Sequence, residues 1–497
     1  MSNQMHHETR PLWYLSEIAD AVGGTLQFYE IASDMPVTGV SIDTRTLQEG
    51  DLFIAIKGPY HDGHDYLDAA FAAGAAAALV SSAPPPDKDY APKTILVADT
   101  QTALEQLGAA ARQRMKGKVI AVTGSVGKTS VKEGLLVAFG ASAKAHASQA
   151  SYNNLWGVPL SLARMPAETE FGVFEIGMNH AGEITPLSAQ VKPDLAIITK
   201  IAPAHMESFK SLEEIAHAKS EIFSGLAGMK LALIPQESEW FELMKAAAIQ
   251  AGAAQIFGFG TAKQADVRAE KIKLHPHCSC LEGSILGQEL AIRVGLPGQH
   301  MAMNALTILG AVHLLGGDLA LASIALGQME ALSGRGKRHH IHLPQGEVTL
   351  IDETYNANPE SMSAALIMLG QMPRYGKARR IAVLADMKEL GHDSAKLHRS
   401  LAQEIKNQDI DLVLTLGDDM ANLHEALPPG HIGLHATSIE QIETALVQEL
   451  QEGDIVMMKG SNAMGLSKLV DVLCAFKTTE INRSATGFNQ QTEGSAV

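Results

Sequence analysis

Cysteine is scarce in this chain, and a long apolar segment is missing. The 497 residues contain 3 cysteines, at positions 278, 280 and 474. Such sparse use excludes a disulfide framework and indicates a reducing compartment, so we expect the protein to act in the cytoplasm. No run of about 18 uninterrupted apolar residues occurs, which predicts that no segment spans a membrane. The first residues, MSNQMHHETRPLW, also lack the basic and then apolar pattern of a secretory signal.

Positive charge is also in short supply. The chain has 39 Lys and Arg residues against 55 Asp and Glu residues, a formal net charge of −16. Proteins that bind nucleic acid neutralise its phosphates with Lys and Arg, so this balance argues against a nucleic-acid partner and leaves room only for a local basic patch. A hydrophobic content of 46% and a charged content of 19% are those of a globular protein.

The spacing of a zinc site is absent as well. The segment HPHCSC at residues 275–280 brings histidines and cysteines together. Its C-x-C spacing differs from the C-x₂₋₄-C spacing of zinc ligands, and no second cluster follows. We therefore predict an ordinary strand or loop there, with no metal.

Strand-like and helix-like segments alternate along most of the chain. This alternation predicts βαβ units with mostly parallel sheets, and the length is too great for one core. We predict an α/β fold in three domains: a small α/β domain over residues 1–98, a central P-loop mononucleotide-binding domain over 99–331 and a Rossmann-like domain over 332–480. Residues 481–497 are polar and aperiodic, which predicts a disordered tail.

The segment AVTGSVGKTS, residues 121–130, is typical of a phosphate-binding loop, with one difference. The pattern G-x-x-x-x-G-K-[ST] requires a glycine where this chain has Val122, and its extra glycine is Gly124. A β-branched strand precedes the loop and a helical segment follows it, which favours a phosphate loop over a chance glycine turn. Backbone N–H groups from Gly124 to Lys128 could surround a phosphate, with the Lys128 ammonium on the outer phosphates and the Thr129 hydroxyl on Mg²⁺.

A lysine interrupts the apolar face of a helix predicted over residues 211–226. Leu212, Ile215 and Ile222 share that face with Lys219 at intervals of three and four residues. No acidic residue stands three or four positions away, so no helix salt bridge explains the lysine. Two interpretations stay open: a side chain that reaches water along the edge of the stripe, or a partly buried amine with a lowered pKa that is available for chemistry.

Two polar residues follow predicted strands of the central domain. Glu175 ends one strand, and His205 stands just past another. Ligands of open α/β sheets gather at the carboxyl ends of the strands. We therefore expect Thr129, Glu175 and His205 to converge around a metal and a phosphate.

These segments together resemble the Mur ligase family, ATP-dependent enzymes that extend the peptidoglycan stem peptide. The loop of that family, T-G-x-x-G-K-[ST], accounts for Gly124 and for the absent glycine at 122. The resemblance covers residues from about 35 to 475. The similar segments include NNLWGVPLSL (153–162), EIGMNHAGEI (175–184), IAPAHMESF (201–209) and DETYNANPESMSAAL (352–366).

The resemblance implies a reaction. Within the family these segments are most similar to the member that joins D-alanyl-D-alanine to UDP-N-acetylmuramoyl-tripeptide, and the D-N-P-R motif of the ligase that adds the third amino acid is absent. The implied enzyme uses ATP and two Mg²⁺ ions, forms an acyl phosphate and takes small-molecule substrates as a monomer. The sequence leaves open whether the third residue of the tripeptide is meso-diaminopimelate or lysine.

The resemblance also implies roles for residues. Lys128, His205 and Lys219 would be catalytic, and Lys219 would react with CO₂ to give a carbamate, which turns a cation that repels Mg²⁺ into a carboxylate that binds it. The implied metal ligands are Thr129, Glu175, His205 and the Lys219 carbamate. The implied ATP-binding residues are Gly124, Ser125, Val126, Gly127, Lys128, Thr129, Ser130, His300, Asn304, Arg335 and Glu353. The implied substrate-binding residues are Ser41, Asp43, Thr44, Arg45, Asn153, Asn154, Tyr355, Asn356 and Asn358.

The chain departs from the family pattern at three places in the last domain, so the resemblance assigns no contacts to the dipeptide there. Asn462 stands where arginine is frequent, Ser467 where glutamate is frequent nearby, and Ala385 where glycine is common.

Three other functions stay open. The segment VTLIDE (348–353) is similar to a Walker B strand, which would indicate a generic P-loop ATPase. A ligase of the same superfamily that adds one amino acid is a second possibility. A nucleotide-binding switch without ligase activity is a third, although it gives no reason for Lys219 on an apolar face.

Overall fold

The computed structural model describes residues 10–26, 35–204, 206–343 and 346–475. His205 and the predicted tail at 481–497 lie outside these ranges. The described residues form α/β units built on sheets of five, nine and six strands, and a two-stranded ribbon accompanies the first sheet. This arrangement confirms the predicted α/β class with three domains. Among the described helices, none is long and apolar enough to cross a membrane.

The first unit has a mostly parallel sheet with strand order β2-β7-β6-β5-β4. Only β2 runs antiparallel to its neighbour. The strands of this unit are β1 (Trp13–Tyr14), β2 (Thr25–Leu26), β3 (Pro36–Val37), β4 (Gly39–Ser41), β5 (Asp51–Ile54), β6 (Ala77–Val80) and β7 (Thr94–Leu96). Its helices are α1 (Leu15–Val22) and α2 (Leu67–Ala72).

The central unit has a nine-stranded sheet with strand order β16-β15-β14-β13-β12-β11-β8-β10-β9. Strands β8 to β14 run parallel, and the hairpin strands β15 and β16 extend the sheet antiparallel. The strands are β8 (Lys118–Thr123), β9 (Ala145–Ala147), β10 (Phe171–Glu175), β11 (Leu195–Ile198), β12 (Leu231–Pro235), β13 (Gln255–Gly260), β14 (Val267–Leu274), β15 (Ser279–Ile285) and β16 (Gln288–Val294). The helices are α3 (Thr100–Arg114), α4 (Lys128–Gly140), α5 (Gly157–Ala163), α6 (Ile184–Val191), α7 (Leu212–Ser220), α8 (Phe241–Gln250), α9 (Gln299–Leu314) and α10 (Leu319–Gln328).

The third unit has a six-stranded sheet with strand order β17-β18-β22-β19-β20-β21, parallel except for the edge strand β17. The strands are β17 (Lys337–Leu343), β18 (Gly346–Glu353), β19 (Arg380–Ala385), β20 (Leu412–Leu416), β21 (Ile432–Ala436) and β22 (Ile455–Lys459). The helices are α11 (Pro359–Gln371), α12 (Ser394–Asn407), α13 (Ala421–Ala426), α14 (Ile439–Glu449) and α15, which runs from 466 to the last described residue, 475.

The central strand β8 is buried on both of its faces. Ile120 and Val122 pack on one side with Leu135 of helix α4, and Val119 and Ala121 pack on the other. A strand that is covered on both faces has a continuous run of apolar residues in its sequence. The run in this segment therefore predicts a buried parallel strand. The parallel register brings the carboxyl ends of β8, β10 and β11 to one edge of the sheet.

Helix α3 joins the first and central units. Its residues Leu104 and Leu107 lie in the core of the first unit, together with Leu160 from α5. A Cβ atom at Gly108 would lie 2.9 Å from the carbonyl oxygen of Pro159, so α3 and α5 pack closely. Because α3 contacts both units, the domain limits at 98 and 331 stay a proposal.

Cys278 ends the loop between β14 and β15, and Cys280 lies in β15 itself. The Nδ1 atom of His277 accepts a hydrogen bond from the Arg338 guanidinium over 2.8 Å. This contact ties the hairpin of the central unit to β17 of the third unit.

Asp194 fixes the start of β11 against two neighbouring segments. Its carboxylate is buried and accepts hydrogen bonds from the N–H groups of Val119 (2.9 Å) and Met229 (3.2 Å). Gly228 has φ +53°, and a Cβ atom there would lie 1.9 Å from the carboxylate. The carboxylate therefore holds β8 and the turn before β12 in place.

We expect Asp194→Ala to lower the midpoint of thermal unfolding by roughly 5 °C, because two backbone donors lose a buried acceptor. The matched control is Asp89→Ala, since Asp89 is exposed on the loop before β7. Differential scanning calorimetry of both variants checks the difference. Equal midpoints in the two variants would contradict this account of the carboxylate.

Candidate active site

The phosphate-type loop lies between β8 and α4, and its two glycines have the backbone conformations that favour glycine. Gly124 has φ +149° and Gly127 has φ +86°. A Cβ atom on Gly124 would lie 1.9 Å from the Thr199 hydroxyl, and one on Gly127 would lie 3.0 Å from Oδ1 of Asn304. Both positions therefore exclude a side chain. This explains why residue 124 is a glycine, although the usual motif has its first glycine at the position of Val122.

The end of β11 supports this loop. The Ser125 N–H donates to the carbonyl of Lys200 over 2.7 Å, and the Thr199 hydroxyl donates to the carbonyl of Val126 over 2.6 Å. These bonds hold the backbone of the loop in front of the N-terminus of α4. The free N–H groups and the dipole of a helix N-terminus stabilise anions.

Lys128, the first residue of α4, folds back on the loop. Its Nζ donates to the carbonyl of Gly124 over 2.7 Å. Burial lowers the pKa of Lys128, and the nearby carboxylate of Glu175 acts in the opposite direction. The ammonium is thus held at the loop, within a small rotation of any anion that the backbone would bind.

Thr129 and Glu175 meet at the edge of the sheet, as predicted. The Thr129 hydroxyl donates to Oε2 of Glu175 over 2.7 Å, and the Asn153 side-chain amide donates to Oε1 over 2.7 Å. Glu175 is only 1% exposed. A hydroxyl and a carboxylate are hard oxygen donors, so these residues fit Mg²⁺. His205, the third member of the predicted set, lies outside the described residues.

Lys219 is buried, which decides between the two interpretations of its position. Its exposure is 1%, so the interpretation of a side chain that reaches water is wrong. The surrounding helix is shorter than predicted: α7 ends at Ser220, and residues Glu221–Gly225 form a 3₁₀ turn. Burial and then the charge of Lys128 lower the pKa of Lys219 well below its ordinary value. Both effects act in favour of the neutral, nucleophilic form of the amine.

The third unit reaches this edge through Arg335 and Tyr355. Arg335 donates from Nη2 to the Thr129 hydroxyl over 2.9 Å, and its guanidinium carbon lies 3.9 Å from the centre of the Tyr355 ring. The Tyr355 hydroxyl donates to the Ser151 hydroxyl of the central unit. The Lys200–Glu360 ion pair joins the same two units. The structure therefore brings both units together at Thr129.

A second group of polar residues lies where α9 faces the third unit. Lys459 donates from Nζ to Glu353 over 3.3 Å and to the carbonyl of Asn356 over 3.0 Å. Burial lowers the pKa of His300, and the charge of Glu353 acts against that effect. Lys459 was missed in the sequence, although it ends β22 and the rule for strand ends could have found it.

Asn304 lies beside a narrow apolar cleft next to the loop. Its neighbours in α9 and in the segment before the third unit are mostly aliphatic or methionine side chains. The cleft is lined by Ser130, Val294, Leu296, Met301, Asn304, Ala305, Ile308, Leu326, Met329, Glu330, Leu332 and Arg335. A mostly apolar cleft with an amide at its wall suits a flat heteroaromatic ring with a polar edge.

The predicted substrate residues of the first unit lie on the loop after β4. Ser41 is buried and donates to the carbonyl of Asp43 over 3.0 Å, and Thr44 is half-buried. The Arg45 guanidinium bonds to Asp43 and lowers the pKa of that carboxyl. A cavity of about 640 Å³ between the first and central units is lined by Thr46 of the same loop, rather than by Asp43 or Arg45.

Two of the predicted substrate residues also cap helices. Oδ1 of Asn154 accepts from the Gly157 N–H over 2.9 Å at the start of α5. Oδ1 of Asn358 accepts from the Ser361 N–H over 2.9 Å at the start of α11. Capping alone would explain an asparagine at either position, so neither is assigned to a substrate by its geometry.

Known proteins are similar to this chain over almost its whole length. Family models match it in three parts: the Mur ligase middle domain at residues 122–312, the Mur ligase glutamate ligase domain at 337–462, and the Mur ligase family catalytic domain at 36–112. A UDP-N-acetylmuramoyl-tripeptide–D-alanyl-D-alanine ligase of Rickettsia prowazekii is 32% identical over 93% of this chain and 99% of its own length. The chain belongs to the Mur ligase family.

Two further proteins extend the comparison for this Mur ligase. A ligase of the same name from Escherichia coli is 33% identical over 92% of this chain and 98% of its own length. The solved structure of MurF from Acinetobacter baumannii superposes with a TM-score of 0.78, at 29% identity, over 93% of this chain and 98% of its own. The three units of this Mur ligase therefore have counterparts in whole proteins, in the same order.

We expect Thr129→Ala in this Mur ligase to weaken binding of Mg²⁺–ADP by about tenfold or more and to change binding of ADP in EDTA much less. The reason is that the hydroxyl would be lost from the metal site while the backbone of the loop stays intact. Isothermal titration calorimetry with and without Mg²⁺ checks this, with Thr444→Ala on the exposed side of α14 as the control. An equal loss with and without Mg²⁺ would contradict the metal role.

Proposed function

We propose that this chain is the ATP-dependent ligase that joins D-alanyl-D-alanine to UDP-N-acetylmuramoyl-tripeptide in peptidoglycan precursor synthesis. The observation behind the proposal is the meeting of a phosphate loop, a buried carboxylate and an arginine from another unit at one hydroxyl, Thr129. The relatives named for this reaction cover nearly the whole chain, including the third unit. We also propose that the enzyme acts in the cytoplasm as a monomer, with domain limits at residues 98 and 331.

The reaction needs a leaving group, because an amine does not displace oxygen from a free carboxylate. The γ-phosphoryl group of ATP is transferred to the terminal carboxylate of the tripeptide, giving an acyl phosphate and ADP. The amine of D-alanyl-D-alanine then attacks the acyl carbon, and the tetrahedral intermediate expels phosphate. Lys128 and the loop N–H groups offset negative charge on the transferred group. Much of the remaining acceleration comes from positioning, since the reactants lie on different domains.

Mg²⁺ supplies charge neutralisation on the phosphate oxygens when it is bound. Thr129 and Glu175 are the described residues that would hold it, with Asn153 orienting the Glu175 carboxylate. Arg335 already donates to the Thr129 hydroxyl. Arg335 would therefore release this hydroxyl when a metal is bound, and its guanidinium would then be free to contact the phosphates.

Lys219 supplies the site for the second metal in this proposal. The ammonium first loses a proton to water. The neutral amine then adds to the carbon of CO₂, a C–N bond forms as one C–O π bond breaks, and a second proton leaves the nitrogen to water, so that the side chain ends as a carbamate anion. The support is its 1% exposure and the pKa shift caused by burial, which favour the reactive neutral amine. Together with His205, the carbamate would hold the second Mg²⁺.

The dipeptide assignment is tested by ADP release. Purified enzyme with ATP, Mg²⁺ and the UDP-linked tripeptide should release ADP rapidly with D-alanyl-D-alanine and at background rate with single amino acids, because attack on the acyl phosphate completes turnover. The control is the same mixture without tripeptide. Turnover with a single amino acid only would assign the chain to another ligase of the family, and nucleotide binding with no turnover would indicate a switch.

The carbamate is tested with Lys219→Ala. We expect this variant to lose roughly 100-fold or more in kcat and to regain activity with added short carboxylates such as formate, since they can occupy the vacated metal ligand position. The wild-type enzyme should lose activity in CO₂-free buffer as the pH falls, because protons reverse carbamate formation, and should recover with bicarbonate. The control is Lys210→Ala, which removes an exposed lysine just before α7. Full activity of Lys219→Ala would exclude the carbamate.

A further inference from the structure

A second buried lysine lies close to the site without any role in the steps above. Lys132 stands on α4, one turn past Lys128, and its side chain is 0% exposed. Its Nζ donates to the carbonyl of Ser148 over 2.6 Å, to the carbonyl of Ala150 over 2.9 Å and to the carboxylate of Glu133 over 2.5 Å. All three protons of the ammonium are therefore used, and two of them hold one loop.

That loop, residues 148–154, has a backbone conformation that needs support. Ala150 has φ +44°, in the left-handed region that a side chain makes unfavourable, and it is not a glycine. Such a residue keeps this conformation only where its surroundings impose it. The bond from Lys132 to the Ala150 carbonyl is the contact that acts at this residue.

The same loop carries two side chains that contact residues of the candidate site. Ser151 accepts from the Tyr355 hydroxyl of the third unit, and Asn153 donates to Glu175. Asn153 is tied in turn to the end of β10, since its carbonyl accepts from the Gly177 N–H over 2.8 Å. The loop therefore lies between the phosphate helix below it and the closing unit above it.

We propose that Lys132 is a positioning residue that sets the substrate loop, residues 148–154, from the helix that begins at the phosphate loop. The inference rests on the proposed function for the identity of the substrate. In this arrangement α4 carries two lysines one turn apart: Lys128 acts on the nucleotide, and Lys132 fixes the loop for the UDP-linked tripeptide. Loss of Lys132 disturbs binding of the tripeptide and leaves the backbone of the phosphate loop in place.

The test is Lys132→Met in the full-length protein, which keeps most of the side-chain volume and removes the charge. We expect KM for the UDP-linked tripeptide to rise by about tenfold or more while KM for ATP changes less than about threefold. Hydrogen–deuterium exchange should rise in the peptide that covers residues 148–154 and stay unchanged at residues 124–130. An equal rise of both KM values, or unchanged exchange at 148–154, would overturn the proposal.

A control and a milder variant separate positioning from general stability. Leu135→Ala removes a buried side chain from the same helix and should lower the unfolding midpoint without changing the ratio of the two KM values.

If Lys132→Met does not fold, Glu133→Gln weakens one of the three bonds and should raise KM for the tripeptide by roughly twofold to fivefold. An unchanged KM in Glu133→Gln would then overturn the proposal. Wild-type enzyme that never turns over the tripeptide would refute the proposed function instead, and the exchange measurement would still decide the role of Lys132.

Discussion

The site depends on one buried carboxylate. Glu175 ends β10 with 1% exposure, and its two oxygens are divided between the Thr129 hydroxyl and the Asn153 amide. A buried carboxylate with two neutral donors keeps one net negative charge, which must be balanced by cations from elsewhere. Lys128, the metal and Arg335 can all meet that demand. The residues at this sheet edge are therefore arranged around one negative charge that nearby cations balance.

The way the units meet follows from the same constraint. Arg335 belongs to the segment before β17, yet it donates to Thr129 in the central unit. Tyr355 stacks on it and reaches Ser151. These contacts use atoms that a nucleotide and a metal would also use, so closure of the third unit and ligand binding compete for the same hydrogen bonds. A ligand shifts the equilibrium between two arrangements of the units only when it binds one of them more tightly, and competition for these hydrogen bonds supplies such a difference.

The sequence predicted the fold class and the meeting of Thr129 with Glu175, because buried parallel strands and residues at strand ends follow local rules. Burial of Lys219 was one of two open interpretations, since periodicity places a residue on a face without fixing the depth of its side chain. Lys132 was not singled out at all. Its partners are carbonyls of a loop distant in sequence, and no pattern of side chains encodes them. Asn154 and Asn358 show the reverse case, since helix capping explains both residues without any substrate.

The buried lysines have a consequence for how the stability of the fold depends on pH. Burial lowers the pKa values of Lys128, Lys219 and Lys459 from the ordinary value of 10.5. The unfolded chain therefore binds these protons more tightly than the folded chain, and the contribution of the three amines to stability rises with pH between their folded pKa values and 10.5. Anionic ligands bound beside these amines would favour their protonated forms and so oppose the effect of burial.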